Sequence, residues 1–123
     1  MGKEEQFKQI LDELRSASTD ILGTVLSSLD GLVMAHNLST NDPNEANKLA
    51  AMSSALLGIS RKVAGTLNSG QLEEISVKGS DKSILIFDVA GQSSLLLVIK
   101  KEAALGFVLL EARDKVKNLA SIR

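Results

Sequence analysis

The chain has 123 residues, of which 44% are hydrophobic, and a formal net charge of -1. This length and hydrophobic content predict one domain, residues 1–123, built around a single core. Aromatic residues make up only 2% of the chain, so it has neither the positive charge that attracts nucleic acid nor the rings on which bases stack. Nucleic acid is therefore not expected as a partner.

Cysteine is absent, which excludes disulfides, thiolate metal sites and cysteine nucleophiles. The first residues, MGKEEQFKQ, are charged and amphipathic rather than basic and then apolar. No uncharged window reaches the roughly 18 residues that a membrane-spanning helix needs. We therefore expect a cytoplasmic protein that does not insert into a membrane.

Hydrophobic periodicity predicts a helix, two strands, a helix, three strands and a final helix. The dipeptide Asp30-Gly31 suits a tight hairpin turn between the first two strands. Asn41 or Asp42 is expected to cap the long second helix, and Asn68-Ser69-Gly70 to end it. The predicted bounds are helix 3–16, strands 21–28 and 32–37, helix 43–67, strands 73–78, 83–90 and 94–101, and helix 105–122.

The three later strands differ in their apolar pattern. Leu95 to Ile99 is apolar without interruption, which is typical of a strand covered on both faces. Strand 73–78 instead alternates Ile75 and Val77 with polar residues. The sequence therefore predicts that the last strand is central and that strand 73–78 is half exposed.

The long helix contains twelve uncharged residues, Leu49 to Ser60, although a surface helix normally has a charged face. At about 100° per residue, one side carries the residues that we expect on the core: Leu49, Met52, Leu56, Ile59, Val63 and Leu67. The other side carries small residues and one charge: Ala51, Ser54, Ala55, Gly58, Lys62 and Gly65. Interior glycine costs a helix about 1 kcal/mol relative to alanine, so this second side predicts close approach of a second copy. An ordinary solvent face rich in alanine and serine is the alternative.

No residue pattern indicates catalysis. His36 is the only histidine, and it cannot form a zinc site or a Ser-His-Asp relay without partners that the sequence does not indicate. Asp30 is explained by turn geometry, and neither G-x-x-x-x-G-K-[ST] nor G-x-G-x-x-G occurs. We expect no catalytic residues, no metal and no cofactor, and hence not an enzyme.

The element order and three segments, LSSLDGLVMA (26–35), AAMSSALLGISRKVAGTL (50–67) and GQLEEISVKG (70–79), resemble the roadblock/LC7 family over nearly the whole chain. The resemblance implies an α/β (α+β), profilin-like fold, with a five-stranded antiparallel sheet, the long second helix on one face and the terminal helices on the other. It also implies a dimer, with itself or with a paralogue, in which the second helices pack together and the third strands pair. The expected dimer interface is Ala51, Ser54, Ala55, Gly58, Lys62, Gly65, Glu74, Ile75, Ser76, Val77 and Lys78.

Proteins similar to this one act as non-catalytic scaffolds or regulators of small Ras-like GTPases, as in the prokaryotic MglB group, or as dynein light chains and lysosomal scaffold subunits in eukaryotes. The short chain looks more like the prokaryotic branch. The resemblance thus implies a small Ras-like GTPase as partner. The alternative is a small-molecule sensory domain of PAS or GAF type, which needs polar or aromatic groups converging in an apolar cavity. Three phenylalanines, with no Trp or Tyr, equip the chain poorly for that role.

Overall fold

The structure, a computed structural model, describes residues 2–122. Within this range the helices and strands follow the predicted order. They are α1 (Lys3–Ala17), β1 (Ile21–Ser28), β2 (Val33–His36), α2 (Glu45–Thr66), β3 (Glu74–Lys78), β4 (Lys82–Val89), β5 (Ser93–Lys100) and α3 (Leu105–Ala120). The strands form one antiparallel sheet in the order β2-β1-β5-β4-β3.

The position of β5 follows from its uninterrupted apolar sequence. It lies between β1 and β4, and Leu95, Leu96 and Leu97 are buried although they point alternately to opposite faces of the sheet. Within residues 2–122, β3 pairs only with β4. The predictions of a central last strand and a half-exposed strand 73–78 are therefore confirmed.

Each face of the sheet has its own core. On one face, α1 and α3 contribute Phe7, Leu11 and Val108, among others, to a cluster that includes Leu97 from β5. On the other face α2 covers a smaller cluster: Val25, Ala50, Leu57, Ile86 and Leu96. The predicted placement, with the long helix on one face and the terminal helices on the other, is confirmed.

A buried asparagine just after β2 fixes α1 to the sheet. The Thr24 backbone N–H and hydroxyl donate to Asn37 Oδ1 at 2.8 and 2.7 Å, and Asn37 Nδ2 donates to the Leu11 carbonyl at 2.9 Å. Arg15 also donates to the Asn37 carbonyl and to the Ser39 hydroxyl. Because the buried amide is fully hydrogen-bonded, it favours one position of α1 over others.

The turn between β1 and β2 depends on its glycine, as predicted. Gly31 has φ +83°, and an added Cβ would lie 3.2 Å from Ala51 Cα of α2. A side chain there would be strained and would also push α2 away. The turn therefore rests directly on α2, where the Ser54 hydroxyl donates to the Leu29 carbonyl at 2.6 Å.

The predicted core side of α2 is wrong. The side that packs on the sheet consists of Ala46, Ala50, Ser53 and Leu57. Met52, Ile59 and Val63 are 57%, 63% and 53% exposed, and Leu67, just after the helix, is 70% exposed; Leu49 and Leu56 are half-buried at the margin. Apolar or small residues cover most of the circumference of α2, so periodicity does not single out one side. The side that meets the sheet has smaller residues than the predicted core side, which permits closer approach.

The predicted capping of α2 is also wrong. The helix begins at Glu45, and Asn44 occupies the N-cap position without a side-chain capping bond. Asp42 Oδ1 instead accepts the Asn44 backbone N–H at 2.9 Å, and the Asp42 carbonyl accepts the Glu45 N–H at 3.2 Å. Asp42 therefore stabilises the turn that precedes the helix rather than the helix itself.

Candidate functional site

The outward side of α2 is the main candidate surface. Met52, Ile59 and Val63 lie within about 40° of one another around the helix axis, and each is more than half exposed. Large apolar side chains exposed together on one helix are typical of an interaction surface. We call these three residues the apolar stripe.

The small residues predicted for the dimer interface lie beside the apolar stripe. Ala51, Ala55, Gly58, Lys62 and Gly65 are exposed, while Ser54 is half-buried against the β1–β2 turn. A Cβ added to Gly58 or Gly65 would meet no heavy atom within 4 Å. Nothing in the described part of the chain therefore requires a glycine at these two positions. We call the six residues the small stripe.

The β3 segment predicted for the interface lies at the edge of the sheet. Ser76, Val77 and Lys78 are exposed, and Glu74 and Ile75 are half-buried. Ile75 borders the core cluster under α2, and Val77 lies opposite Ile84, which borders the same cluster. The structure thus places Ile75 and Val77 on the same face of the sheet as α2, whereas Glu74, Ser76 and Lys78 point to the face of α1 and α3.

One charged residue of β3 already has a partner on α3. Arg113 donates to Glu74 through Nη2 at 2.8 Å and through Nε at 3.3 Å. The hydrogen bonds from Arg113 to Glu74, and the charge of Glu74, raise the pKa of the guanidinium above its ordinary value. Lys78, at the other end of the strand, has no ion pair within residues 2–122.

A family model described as Roadblock/LC7 domain matches residues 7–100. The chain belongs to the Roadblock/LC7 family. This match includes α2, β3 and the whole sheet, so both stripes and the free edge lie inside the family domain. The predicted resemblance is confirmed, and the alternative of a PAS or GAF domain gains no support.

Known relatives and structures agree with this assignment. The uncharacterized protein MJ0310 of Methanocaldococcus jannaschii is 30% identical over 102 residues, which cover 80% of this chain and 87% of that protein. Myxococcus xanthus MglB superposes with a TM-score of 0.89 at 15% identity, covering 99% of this chain and 90% of that one. The structure of an MglB with a tetrameric arrangement gives the same TM-score and coverage at 21% identity. Acanthamoeba castellanii profilin II has a TM-score of 0.57 at 12% identity, covering 93% of this chain and 96% of that one, which agrees with the profilin-like fold.

The two residues considered for chemistry, His36 and Asp30, show no arrangement typical of a catalytic site in the described part of the chain. His36 is exposed at the end of β2, where its Nδ1 accepts the Leu38 N–H at 3.3 Å, and Asp30 is exposed in the β1–β2 turn. Among the described residues no three His, Asp or Glu side chains are grouped as metal ligands would be. None of the helices in residues 2–122 is both long and apolar enough to cross a membrane.

An open cleft of about 540 Å³ lies between the end of α2 and the β4–β5 turn. Its charged groups, Arg61 and Asp88, form an ion pair with each other at 2.6 Å. Asp88 also accepts the Gly91 N–H at 3.0 Å. Because the charges are already paired, the cleft offers a ligand no unpaired charge.

Sequence reasoning missed the apolar stripe as a surface. Its members were assigned to the core because large apolar side chains usually pack there. A signal was present in Ala46, Ala50, Ser53 and Leu57, which recur at the i, i+4, i+7 and i+11 spacing of a helix face. Their small size suggested a poor core, yet small residues let a helix lie close to a sheet. No residue pattern in the sequence predicts that Gly31 lies close to α2.

Proposed function

We propose that this Roadblock/LC7 domain is a non-catalytic homodimeric scaffold that binds a small Ras-like GTPase and modulates its nucleotide state or location. The observation that carries the proposal is the outward side of α2. There, the apolar stripe is exposed on a helix whose other side is firmly packed on the sheet. A second protein surface that covers this side removes the apolar groups from water.

Self-association accounts for both parts of the predicted interface. The apolar stripe supplies the apolar area, about 25 cal/mol for each Å² removed from water, and the small stripe lets a second backbone come close. The edge of β3 can extend the sheet into the second copy. We therefore add Met52, Ile59 and Val63 to the proposed interface. The tetrameric arrangement of an MglB of the same fold agrees with an assembling protein.

The GTPase part of the proposal rests on what the family resemblance implies. A scaffold that changes the nucleotide state of a GTPase must bind one nucleotide form more tightly than the other. The chain itself offers little for catalysis, since its only histidine is exposed at a strand end and bonded to the backbone. The effect on the GTPase would then come from ordering groups that belong to the GTPase.

Calorimetric titration of the wild-type protein into the Ras-like GTPase encoded nearest to it tests this function. The GTPase is loaded with GDP in one series and with a non-hydrolysable GTP analogue in the other. We expect binding, with an affinity at least about tenfold higher for one form. Absence of binding to both forms would contradict the proposal. Equal affinity for both would exclude an effect on nucleotide state and leave location as the role.

A further inference from the structure

The sheet has two edge strands, β3 on one side and β2 on the other. Within residues 2–122, β2 pairs only with β1, so its outer edge is free. The proposed self-association uses α2 and β3 and does not need this second edge. A partner bound along β2 would therefore leave β3 free.

A groove of about 760 Å³ follows the free edge of β2. All four residues of β2 form one side of it: Val33, Met34, Ala35 and His36. The start of α1 forms the other side: Gly2, Lys3, Glu4, Glu5 and Lys8. An extended peptide can add to an exposed sheet edge, and the surface beside that edge then selects its side chains. The groove offers both, and we call its side on α1 the charged wall.

The free edge presents backbone groups at both ends of β2. The Asn37 N–H, just after the strand, donates to the Thr24 carbonyl of β1 at 3.1 Å. Because backbone groups alternate in direction along an antiparallel strand, the N–H and C=O of His36 point away from β1. At the other end the Leu32 carbonyl accepts a β1 N–H at 2.9 Å, so the groups of Val33 point outward by the same argument. The backbone of an added strand can pair with these groups.

A bulge in β2 restricts what can bind along this edge. Val33 lies opposite Ser27 of β1. Ala35 lies opposite Leu26, so Met34, between them, has no opposite residue in β1. A bulge bends its strand, and natural sheets use bulges to prevent pairing with the edge of another folded sheet. A short flexible segment can follow the bend, whereas the straight edge strand of a second copy cannot. The groove therefore fits a segment that becomes extended on binding.

The free charges of the charged wall are more negative than positive. Lys8 is already paired with Asp12 at 2.9 Å. Lys3, Glu4 and Glu5 are exposed and form no ion pair within the described part of the chain. One lysine against two glutamates leaves one negative charge unbalanced. A segment that carries Lys or Arg is therefore complementary to the wall, and such complementarity selects the partner and its register.

We propose that an extended segment of a partner protein binds between β2 and the charged wall as a short added strand. A Lys or Arg of the segment is directed to Glu4 and Glu5, and an apolar residue covers Met34, which is half-buried. This site goes beyond the proposed function, because it requires neither a second copy nor a GTPase. In the proposed dimer each copy keeps its own groove, at the edge of the sheet opposite β3.

Peptide selection tests the proposal. A phage library of random short peptides is selected on the full chain and on Glu4→Lys combined with Glu5→Lys, which inverts the charged wall. We expect enriched peptides that carry Lys or Arg among alternating apolar residues and bind the wild type about tenfold more tightly than the double variant. Asp81→Lys combined with Glu102→Lys makes the same charge change at exposed residues outside the groove and should bind as the wild type. Equal binding to all three proteins, or no enriched peptide, would overturn the proposal.

Methylation of the peptide backbone tests strand addition independently of charge. In an added strand, alternate amides of the peptide point to β2 and the others point to water. An N-methyl group on an amide that points to β2 removes a hydrogen bond, so we expect it to weaken binding about tenfold. The same group on the intervening amides should leave the affinity unchanged. Equal effects at every amide, or none at all, would contradict binding as a strand.

Amide chemical shifts of the isotope-labelled chain locate the peptide and establish that each variant is folded. We expect the largest changes at Val33, Met34 and His36 and in the first turn of α1. Changes centred on α2 or β3 would overturn the site. Loss of peptide binding as the protein concentration rises would identify a second copy as the occupant and would also overturn it. These failures leave self-association through α2 and β3 intact, whereas a monomeric wild type that binds the peptide would remove the dimer and keep this site.

Discussion

The two faces of the sheet differ in how completely one chain covers them. On the face of α1 and α3, two helices bury a cluster that reaches from Ile21 in β1 to Val89 in β4. On the face of α2, a single helix covers only part of the sheet and leaves Ile84 and Val98 half-buried at the margin. The helices of this chain cover the first face fully, and we call it the finished face; they cover the second face only in part, and we call it the incomplete face.

The two faces also differ in what holds their helices. Asn37 connects α1 to β1 through hydrogen bonds that are shielded from water. The ion pair between Arg61 and Asp88 that connects α2 to β4 is partly exposed, and exposed pairs contribute little to stability. Buried hydrogen bonds therefore help to fix α1, whereas the polar bonds from α2 to the rest of the chain, the Arg61–Asp88 ion pair and the Ser54–Leu29 hydrogen bond, are exposed to water.

The largest expected effect compares two neighbouring leucines of β5. Leu97 points to α1 and α3, Leu96 points to α2, and both are buried. Replacing a buried leucine by alanine costs about 2–5 kcal/mol, and the cost falls where the site can collapse. We expect Leu97→Ala to lower the free energy of unfolding more than Leu96→Ala, since in the isolated chain no other element of residues 2–122 covers the outer side of α2, which can settle inward. Urea denaturation of both variants at low protein concentration measures this difference. Equal losses would contradict the comparison.

The next effect concerns the buried amide of the finished face. Asn37→Leu leaves the Thr24 N–H and hydroxyl without their acceptor, and we expect a loss of about 1–3 kcal/mol. His36→Leu, at the adjacent exposed position, is the control and should change stability by less than about 0.5 kcal/mol. Thermal denaturation compares the two variants. A tolerated Asn37→Leu would show that the amide does not fix α1.

A matched pair of exposed apolar residues tests the incomplete face. Ile59 on α2 and Leu110 on α3 are 63% and 66% exposed. Each substitution, Ile59→Asp and Leu110→Asp, should leave the stability of the isolated chain within about 0.5 kcal/mol. We expect Ile59→Asp alone to weaken self-association, by about 1.4 kcal/mol or more, which is tenfold in the dissociation constant. Analytical ultracentrifugation measures the dissociation constant of each variant. Equal weakening by both would place the interface elsewhere.

A substitution of Gly58 tests the small stripe separately from the apolar stripe. A side chain at this position has free space in one chain, so Gly58→Leu should stabilise the isolated helix by up to about 1 kcal/mol. In the dimer the same side chain would force the helices apart at a cost of about 1–3 kcal/mol. Gly106→Leu on α3, which also has free space, is the control. A dimer unaffected by Gly58→Leu would limit the interface to the apolar stripe and β3.

The smallest effect is the pH dependence of α1. The hydrogen bond from Lys8 is the largest influence on the Asp12 carboxyl, and with the Asn37 amide it outweighs desolvation and lowers the pKa of Asp12. A carboxyl with a lowered pKa stabilises the fold above its ordinary pKa of about 4, and this contribution is lost as the pH falls through the folded value. Asp12 is half exposed, so Asp12→Asn should cost only a few tenths of a kcal/mol at neutral pH. Thermal denaturation should show this difference fading below about pH 4, and a difference that grows there would contradict it.

The sequence predicted the architecture because its signals were local. The apolar run of β5 indicates a central strand, the alternation in β3 a half-exposed strand, and Asp30-Gly31 a hairpin. It did not predict which side of α2 meets the sheet, because apolar or small residues cover most of the circumference of the helix and periodicity alone does not single out one side. The role of Asn37 depends on a distant contact, with Leu11. The interface residues of β3 lie at the edge of the sheet, and their role in a dimer stays a prediction, whereas the prediction that Met52, Ile59 and Val63 lie in the core is wrong.

Sedimentation equilibrium of the wild-type protein over a wide range of concentration tests the central claim most directly. If a second copy covers the outward side of α2, the molar mass should approach twice the 13.1 kDa of one chain and fall towards one chain only on dilution. A molar mass of 13.1 kDa at the highest concentration would show that α2 stays uncovered by a second copy and would contradict the account.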